Sequence, residues 1–103
     1  MLKTHPTKSE IETIIHWDIL NLGVSDLIEL IEDVWSKDYG RFIRRGRRVL
    51  QLELHTGGWS DNESIIEALK NNTLFWCSFW RKSVVGGHYY FKIDTKTFKS
   101  RKD

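Results

Sequence analysis

A single cysteine, Cys77, leaves the chain unable to form an internal disulfide framework or a zinc site of several thiolates. Set in "FWCSFW", that thiol is expected to be buried and inert, which fits a reducing compartment. Seven glycines and one proline are too few for a disordered or linker-rich chain. No apolar run approaches a membrane span, and the opening "MLKTHPTKSE" lacks the apolar core of a secretion signal. The expectation is a soluble, cytoplasmic protein with no membrane contact. Internal repeats and low-complexity tracts are also missing. No phosphate-binding Gly-Lys-Ser/Thr loop, Gly-x-Gly-x-x-Gly fingerprint or Gly-x-Ser-x-Gly elbow occurs. The aromatic RNA-recognition signature is absent, and "HYYFKI" is only a faint echo of it. His5, His16, His55 and His88 show no metal-ligand spacing, and Glu53 with the "IDTK" at 93–96 offers only fragments of a metal-nuclease cluster. Neither a metal nor a cofactor is therefore expected.

What the chain does contain is aromatic mass and a lopsided charge. Five Trp, five Phe and three Tyr stand in 103 residues, enough to fill the core of one domain spanning 1–103. Residues 1–38 carry three Lys against eight Asp or Glu, a balance of −5, and residues 39–103 carry thirteen Lys or Arg against six acids, a balance of +7. Two readings are open. Either the fold displays faces of opposite sign, or the two parts attract one another inside a compact domain.

Periodicity sets the elements. Thr7 with Glu10, or Ser9 with Glu12, fits a capping box ahead of Ile11, Ile14, Ile15, Ile19 and Leu22, with a stop at Gly23. Ser25 is expected to cap a second helix whose stripe is Leu27, Ile28, Ile31, Val34 and Trp35, with Glu29, Glu32 and Asp33 on its solvated side. "RFIRRGRRVL" reads as a hairpin turning at Arg45-Gly46. Leu50, Leu52 and Leu54 alternate with Gln51, Glu53 and His55 in its second strand. Ser60 with Glu63 suggests a cap for a short helix bearing Ile65, Ile66 and Leu69, closed by Asn71-Asn72 in a left-handed conformation. "TLFWCSFWRK" reads as a strand with Phe75, Cys77 and Phe79 on one face and Trp76, Ser78 and Trp80 on the other. One of these two sets would then lie on the uncovered face of the sheet. "SVVGGH" is the turn, "HYYFKI" the returning strand, and 95–103 a basic tail expected to fray. The class is α+β: two N-terminal helices, a β-hairpin, a short helix and a second β-hairpin. Its sheet has three to four mostly antiparallel strands covered by helices on one face.

Two stretches could carry function. "HTGGWSDNES" sets Gly57 and Gly58 before a helix start, where free amides and the helix dipole favour an anion. Trp59 could stack on a base or sugar; as a purely structural alternative, Gly-Gly is only a strand-to-helix turn, Ser60 and Glu63 a capping pair, and Trp59 a hydrophobic plug. "VVGGHYYF" pairs Gly86 and Gly87 with His88. If its strand lies beside the strand ending at His55, then Gly57, Gly58, Trp59, Ser60, Asn62, Glu63, Gly86, Gly87 and His88 share one ligand-binding corner. His55 and His88 would be the acid and base of a phosphoesterase or nuclease if the protein is an enzyme, although the His-x-Thr/Ser repeat of the two-histidine phosphoesterases is not met. Arg41, Arg44, Arg45, Arg47 and Arg48 suit phosphate or partner steering; as readily, they guard a sheet edge and pair with the acidic helices.

Residues 56–60, 62–63, 75–76 and 86–89 resemble a group of small phage-encoded proteins of unknown function, in the order Thr-Gly-Gly-Trp-Ser, Asn-Glu, Phe-Trp and Gly-Gly-His-Tyr. The resemblance covers 52–93 and departs at Val85, where that group carries Arg. It implies a phage or prophage origin, a host-cell cytoplasmic location, and roles such as blocking a host or defence protein or handling nucleotides. The combined expectation is an accessory protein that binds nucleic acid or a nucleotide without catalysis. The alternatives are an inhibitor of a host protein and a small phosphoesterase or nuclease.

Overall fold

The computed structural model describes residues 6–97. His5 and the basic stretch 98–103 lie outside them. Among the described residues the order is α1 (Lys8–Ile15), α2 (Ile19–Leu22), α3 (Ser25–Val34), β1 (Arg41–Arg45), β2 (Val49–His55), α4 (Ser60–Asn71), α5 (Thr73–Phe79), β3 (Trp80–Val84) and β4 (His88–Asp94). The strands form one antiparallel sheet in the order β1-β2-β4-β3. The helices pack on one face of it, so the α+β architecture read from periodicity is the observed one.

The two faces follow from the strand period of two. Leu50, Leu52 and Leu54 of β2 and Phe91 and Ile93 of β4 point into the core with Ile14, Ile28, Ile31, Ile65, Leu69, Phe75 and Phe79. Each of these side chains, removed from water, contributes about 1.5–3 kcal/mol. The alternate residues Gln51, Glu53 and His55 of β2 and His88, Tyr90 and Lys92 of β4 occupy the face that no helix covers among the described residues.

Several local expectations are corrected. "TLFWCSF" is helix α5, with strand β3 beginning only at Trp80. Phe75, Trp76, Phe79 and Trp80 recur at intervals of four, so one helical face takes them all. Phe75 and Phe79 are buried, while Trp76 stacks on Trp80 and meets Phe91 edge-on. Neither pair lies on the uncovered sheet face. Cys77 falls on the outer side of α5 and is exposed, not buried.

The first helix also breaks earlier than its apolar stripe suggests. His16, Trp17 and Asp18 separate α1 from α2, and Trp17 Nε1 donates to the Gly23 carbonyl at 2.9 Å. Ile14 and Ile19 are buried, whereas Leu22 is more than half exposed. The Thr7–Glu10 capping box forms. Ser25 and Ser60 do not cap. Each is the first residue of its helix, behind Val24 and Trp59, and neither helix has a side-chain cap bond. Asn72 is not left-handed either, with φ −85°. Its buried amide instead donates to the carbonyls of Ile14 and Trp17 (3.0 and 3.2 Å) and accepts from Phe75 N (3.2 Å). Those bonds satisfy the end of α1 and the start of α5 together. At the other end of the sheet, Thr95 N donates to the Arg48 carbonyl at 2.8 Å and Thr97 N to that of Asp94 at 2.9 Å.

The helical assignment of α5 predicts unequal costs within one short segment. Phe75→Ala should destabilise by about 3–5 kcal/mol through the cavity it opens, and Cys77→Ala by no more than about 0.5 kcal/mol as a surface change. Urea titration of the two variants measures both. Equal losses would put the two side chains on one strand face after all.

Candidate functional site

The two Gly-Gly turns meet at one corner. β2 ends at His55 and β4 begins at His88, and these residues are directly opposite in the sheet. One step further, Thr56 N donates to the Gly87 carbonyl at 2.9 Å. A side chain at Gly87 (φ 83°) would run into the Thr56 hydroxyl, and one at Gly57 (φ 64°) would strike the Tyr39 carbonyl. Both positions therefore need glycine for space as well as for backbone conformation. The adjacency assumed from sequence is realised, and the 39–40 segment joins it.

At this corner His55 Nδ1 and His88 Nδ1 approach to 2.7 Å, with the rings edge to face. His55 Nε2 lies 3.4 Å from one carboxylate oxygen of Glu53, whose other oxygen accepts from Arg45 at 2.8 Å. The His55 side chain is 14% exposed and that of Glu53 22%, so both are shielded yet reachable. Tyr90 completes the group with its ring edge-on to His55, centroids 5.9 Å apart. The direct ring-to-ring approach leaves no room for a phosphate between the imidazoles, which departs from an arrangement with one histidine on each side of the substrate. From sequence Glu53 reads as a strand residue and as a fragment of a metal-nuclease cluster, not as a partner of His55. Its i,i+2 spacing from His55, which places the two side chains on one strand face, is the signal that could have found it.

The remaining predicted residues are distributed as follows. Trp59 stacks on Tyr39 with centroids 4.2 Å apart, so one face of its indole is occupied, and its Nε1 is buried without a hydrogen-bond partner among the described residues. Trp59 N donates to the Thr56 carbonyl (3.1 Å), and Gly58 N donates to Thr56 Oγ1 (3.3 Å). Two amides of the expected anion pocket are thus turned inward, and Asp61 and Glu63 in the first turn already satisfy the dipole. Asn62 is fully buried. Its Oδ1 accepts from Ser36 N (2.8 Å) and its Nδ2 donates to the carbonyls of Ser36 (3.1 Å) and Thr56 (3.3 Å), stapling α4 to the corner from beneath. Ser60 and Glu63 lie on the outer side of α4, beside α1.

The arginines divide by strand parity. Arg44 reaches across the helix side to Glu29 and Glu32 of α3, at 3.7 and 3.1 Å. Arg48 pairs with Asp94 at 3.4 Å, and Arg45 with Glu53. Arg41 and Arg47 make no ion pair among the described residues. Opposite charges of the two parts of the chain therefore meet at the surface on the helix side at Arg44, while Arg41 and Arg45 stay on the open face.

That face defines the protein's class: an α+β domain whose four-stranded sheet has one side free and positively charged. Arg41 and Arg45 stand on β1, Lys92 on β4 and Lys82 on β3, with Arg81 as the extra residue of a bulge. Glu53 and Asp94 are the acids among them. Gln51, Glu53, Arg81, Tyr90 and Lys92 line a shallow depression of about 230 Å³, and Lys82 Nζ sits 4.8 Å over the Tyr90 ring. No family model, curated protein or solved structure matches the chain.

The glycine geometry separates two neighbouring substitutions. Gly58→Ala meets open space and should cost only the strain of its left-handed backbone, about 1–2 kcal/mol. Gly57→Ala must in addition push the Tyr39–Gly40 backbone away and should cost clearly more. Thermal unfolding of the two variants is the check; similar melting temperatures would show that the corner is loosely packed.

Proposed function

We propose that this protein binds a phosphate-bearing ligand, a strand of nucleic acid in preference to a lone nucleotide, across the open face of its sheet. The observation that carries this reading is the spread of Arg41, Arg45, Lys92, Lys82 and Arg81 over three strands of a face no helix covers. Charges so dispersed suit a row of phosphates better than a single one, and the depression among them is shallow. Guanidinium groups fork onto phosphate oxygens, and each ammonium or guanidinium that engages a phosphate releases a condensed counterion. Tyr90 is the stacking platform, with a base taking the place that Lys82 holds over its ring. A host-cell cytoplasmic setting, implied by the phage resemblance, belongs to the same proposal.

A second reading has its own support. Trp80, Val84 and Val85 are exposed along β3 and its turn, Val85 almost completely. Apolar side chains at a sheet edge suit docking against a host protein, as an inhibitor would do.

Fluorescence anisotropy with labelled single-stranded DNA decides between them. Affinity should fall steeply with salt. Replacing Arg41 or Lys92 by Glu should weaken binding and flatten the log–log salt slope by about 0.7 or more for each phosphate that is no longer neutralised. Arg44→Ala, on the helix side, should leave both unchanged. Absence of salt-sensitive binding would rule out the nucleic-acid reading and leave the protein-docking surface.

A further inference from the structure

Plain binding has no use for the hydrogen-bonded line from Glu53 through His55 to His88. An ionised carboxylate only accepts hydrogen bonds, so its approach places the His55 proton on Nε2 and leaves a lone pair on Nδ1. His88 Nδ1 lies 2.7 Å from His55 Nδ1, so with the lone pair on His55 the hydrogen between the rings belongs to His88. A neutral imidazole carries one N–H, and His88 Nε2 therefore keeps its lone pair. That nitrogen has no partner among the described residues. A side chain at Gly86 would begin 3.1 Å from it, so glycine leaves the approach open. When Nε2 takes up a proton, the His88 Nδ1–H stays on His55, no tautomer has to change, and the Glu53 charge stands behind the new imidazolium. A carboxylate that fixes the tautomer of a basic imidazole is the logic of the hydrolytic triads; here a second imidazole is inserted in the line.

Among the described residues, neither the Thr56 hydroxyl nor the Cys77 thiol is placed to act as a nucleophile at His88. The Thr56 hydroxyl is buried and accepts the Gly58 N–H, and Cys77 lies away on α5. The nucleophile must arrive with the ligand, and in a nucleic-acid strand that group is a ribose 2′-hydroxyl. It is already held beside the phosphorus it attacks, which supplies the benefit of proximity.

We propose that His88 Nε2 is the general base of an RNA-cleaving site, with His55 and Glu53 as positioning residues. The inference rests on the proposed binding of nucleic acid and names the strand as RNA. His88 takes the proton of the 2′-hydroxyl. The 2′-oxygen bonds to the neighbouring phosphorus, the P–O5′ bond breaks, and the departing 5′-oxygen takes a proton from water. The hydroxide so formed recovers the proton from His88. The products are a 2′,3′-cyclic phosphate and a 5′-hydroxyl end. Arg41, opposite His55 in the sheet, supplies positive charge beside the phosphate.

Labelled single-stranded RNA, DNA of the same sequence and 2′-O-methyl RNA, each incubated with the whole chain in EDTA, test this. All three should bind, and only the RNA should be cut, to cyclic-phosphate ends. H88Q, checked for folding by circular dichroism, should slow cleavage by about 10²–10⁴-fold, the range of a general base. E53Q should lower kcat without raising KM, because the lost negative charge on the binding face can only favour the RNA. In ¹⁵N spectra it should also turn His88 from a single Nδ1–H tautomer to a mixture, which a merely structural carboxylate would not do. RNA that binds but stays intact, or is cut equally fast by H88Q, overturns the inference while leaving the binding reading in place. Failure of every oligonucleotide to bind overturns both.

Discussion

The pairing of β2 with β4 is the constraint on which the rest depends. Its register sets Leu52 opposite Phe91 on one face and Glu53 opposite Tyr90 on the other. A slip of one residue would turn either Leu50, Leu52 and Leu54 or Phe91 and Ile93 out to water, and bring Glu53 and His55 or Lys92 into the core in their place. Burial of the leucines therefore enforces the register. The same register, carried to the strand ends, brings His55 to His88 and Thr56 to Gly87. The corner is a by-product of core packing in the sense that no separate interaction is needed to assemble it.

Two buried asparagines brace this sheet from the helix side. Asn72 holds α1, α4 and α5 at one junction, and Asn62 ties α4 to the 36–40 and 56–58 segments beneath the corner. Each buried amide finds partners for both its oxygen and its nitrogen, which is the condition for burying it without a large desolvation cost. Polar groups engaged in this way are withdrawn from ligand binding. That moves attention from the start of α4, where amides and the Asn62 side chain face inward, to the uncovered sheet face. There the cations and imidazoles are held by strand geometry together with the contacts of Glu53 to Arg45 and His55 and of His55 to His88.

Much of the architecture was legible in periodicity. The α3 stripe of Leu27, Ile28, Ile31, Val34 and Trp35 is buried as its spacing indicates, the hairpin turns at Gly46, and both Gly-Gly pairs are turns with positive φ. The segment 73–79 has the look of a strand because aromatic residues favour strands on average, and Phe75 and Phe79 share a strand face as well as a helix face. The helix is favoured by the local Asn72 cap on Phe75 N and by the tertiary packing of Phe75 against Phe91. Ser25 and Ser60 failed as caps although their local patterns suited them. The preceding residue entered the cap position instead, and in α4 that residue is Trp59, anchored on Tyr39.

By itself, then, the order of residues determined the class of fold, the inward and outward sets on β2, and glycine turns able to take positive φ. These are local properties: the period of apolar side chains and the backbone angles that only glycine adopts without strain. Tertiary structure alone decided that the two turns touch, that His55 meets His88 through their Nδ1 atoms, and that Arg44 is engaged by α3 while Arg41 is not. Those facts depend on which strand lies next to which, and on distances between residues more than thirty positions apart in the case of the histidines. No local pattern encodes such distances, because they are set only when the whole core closes.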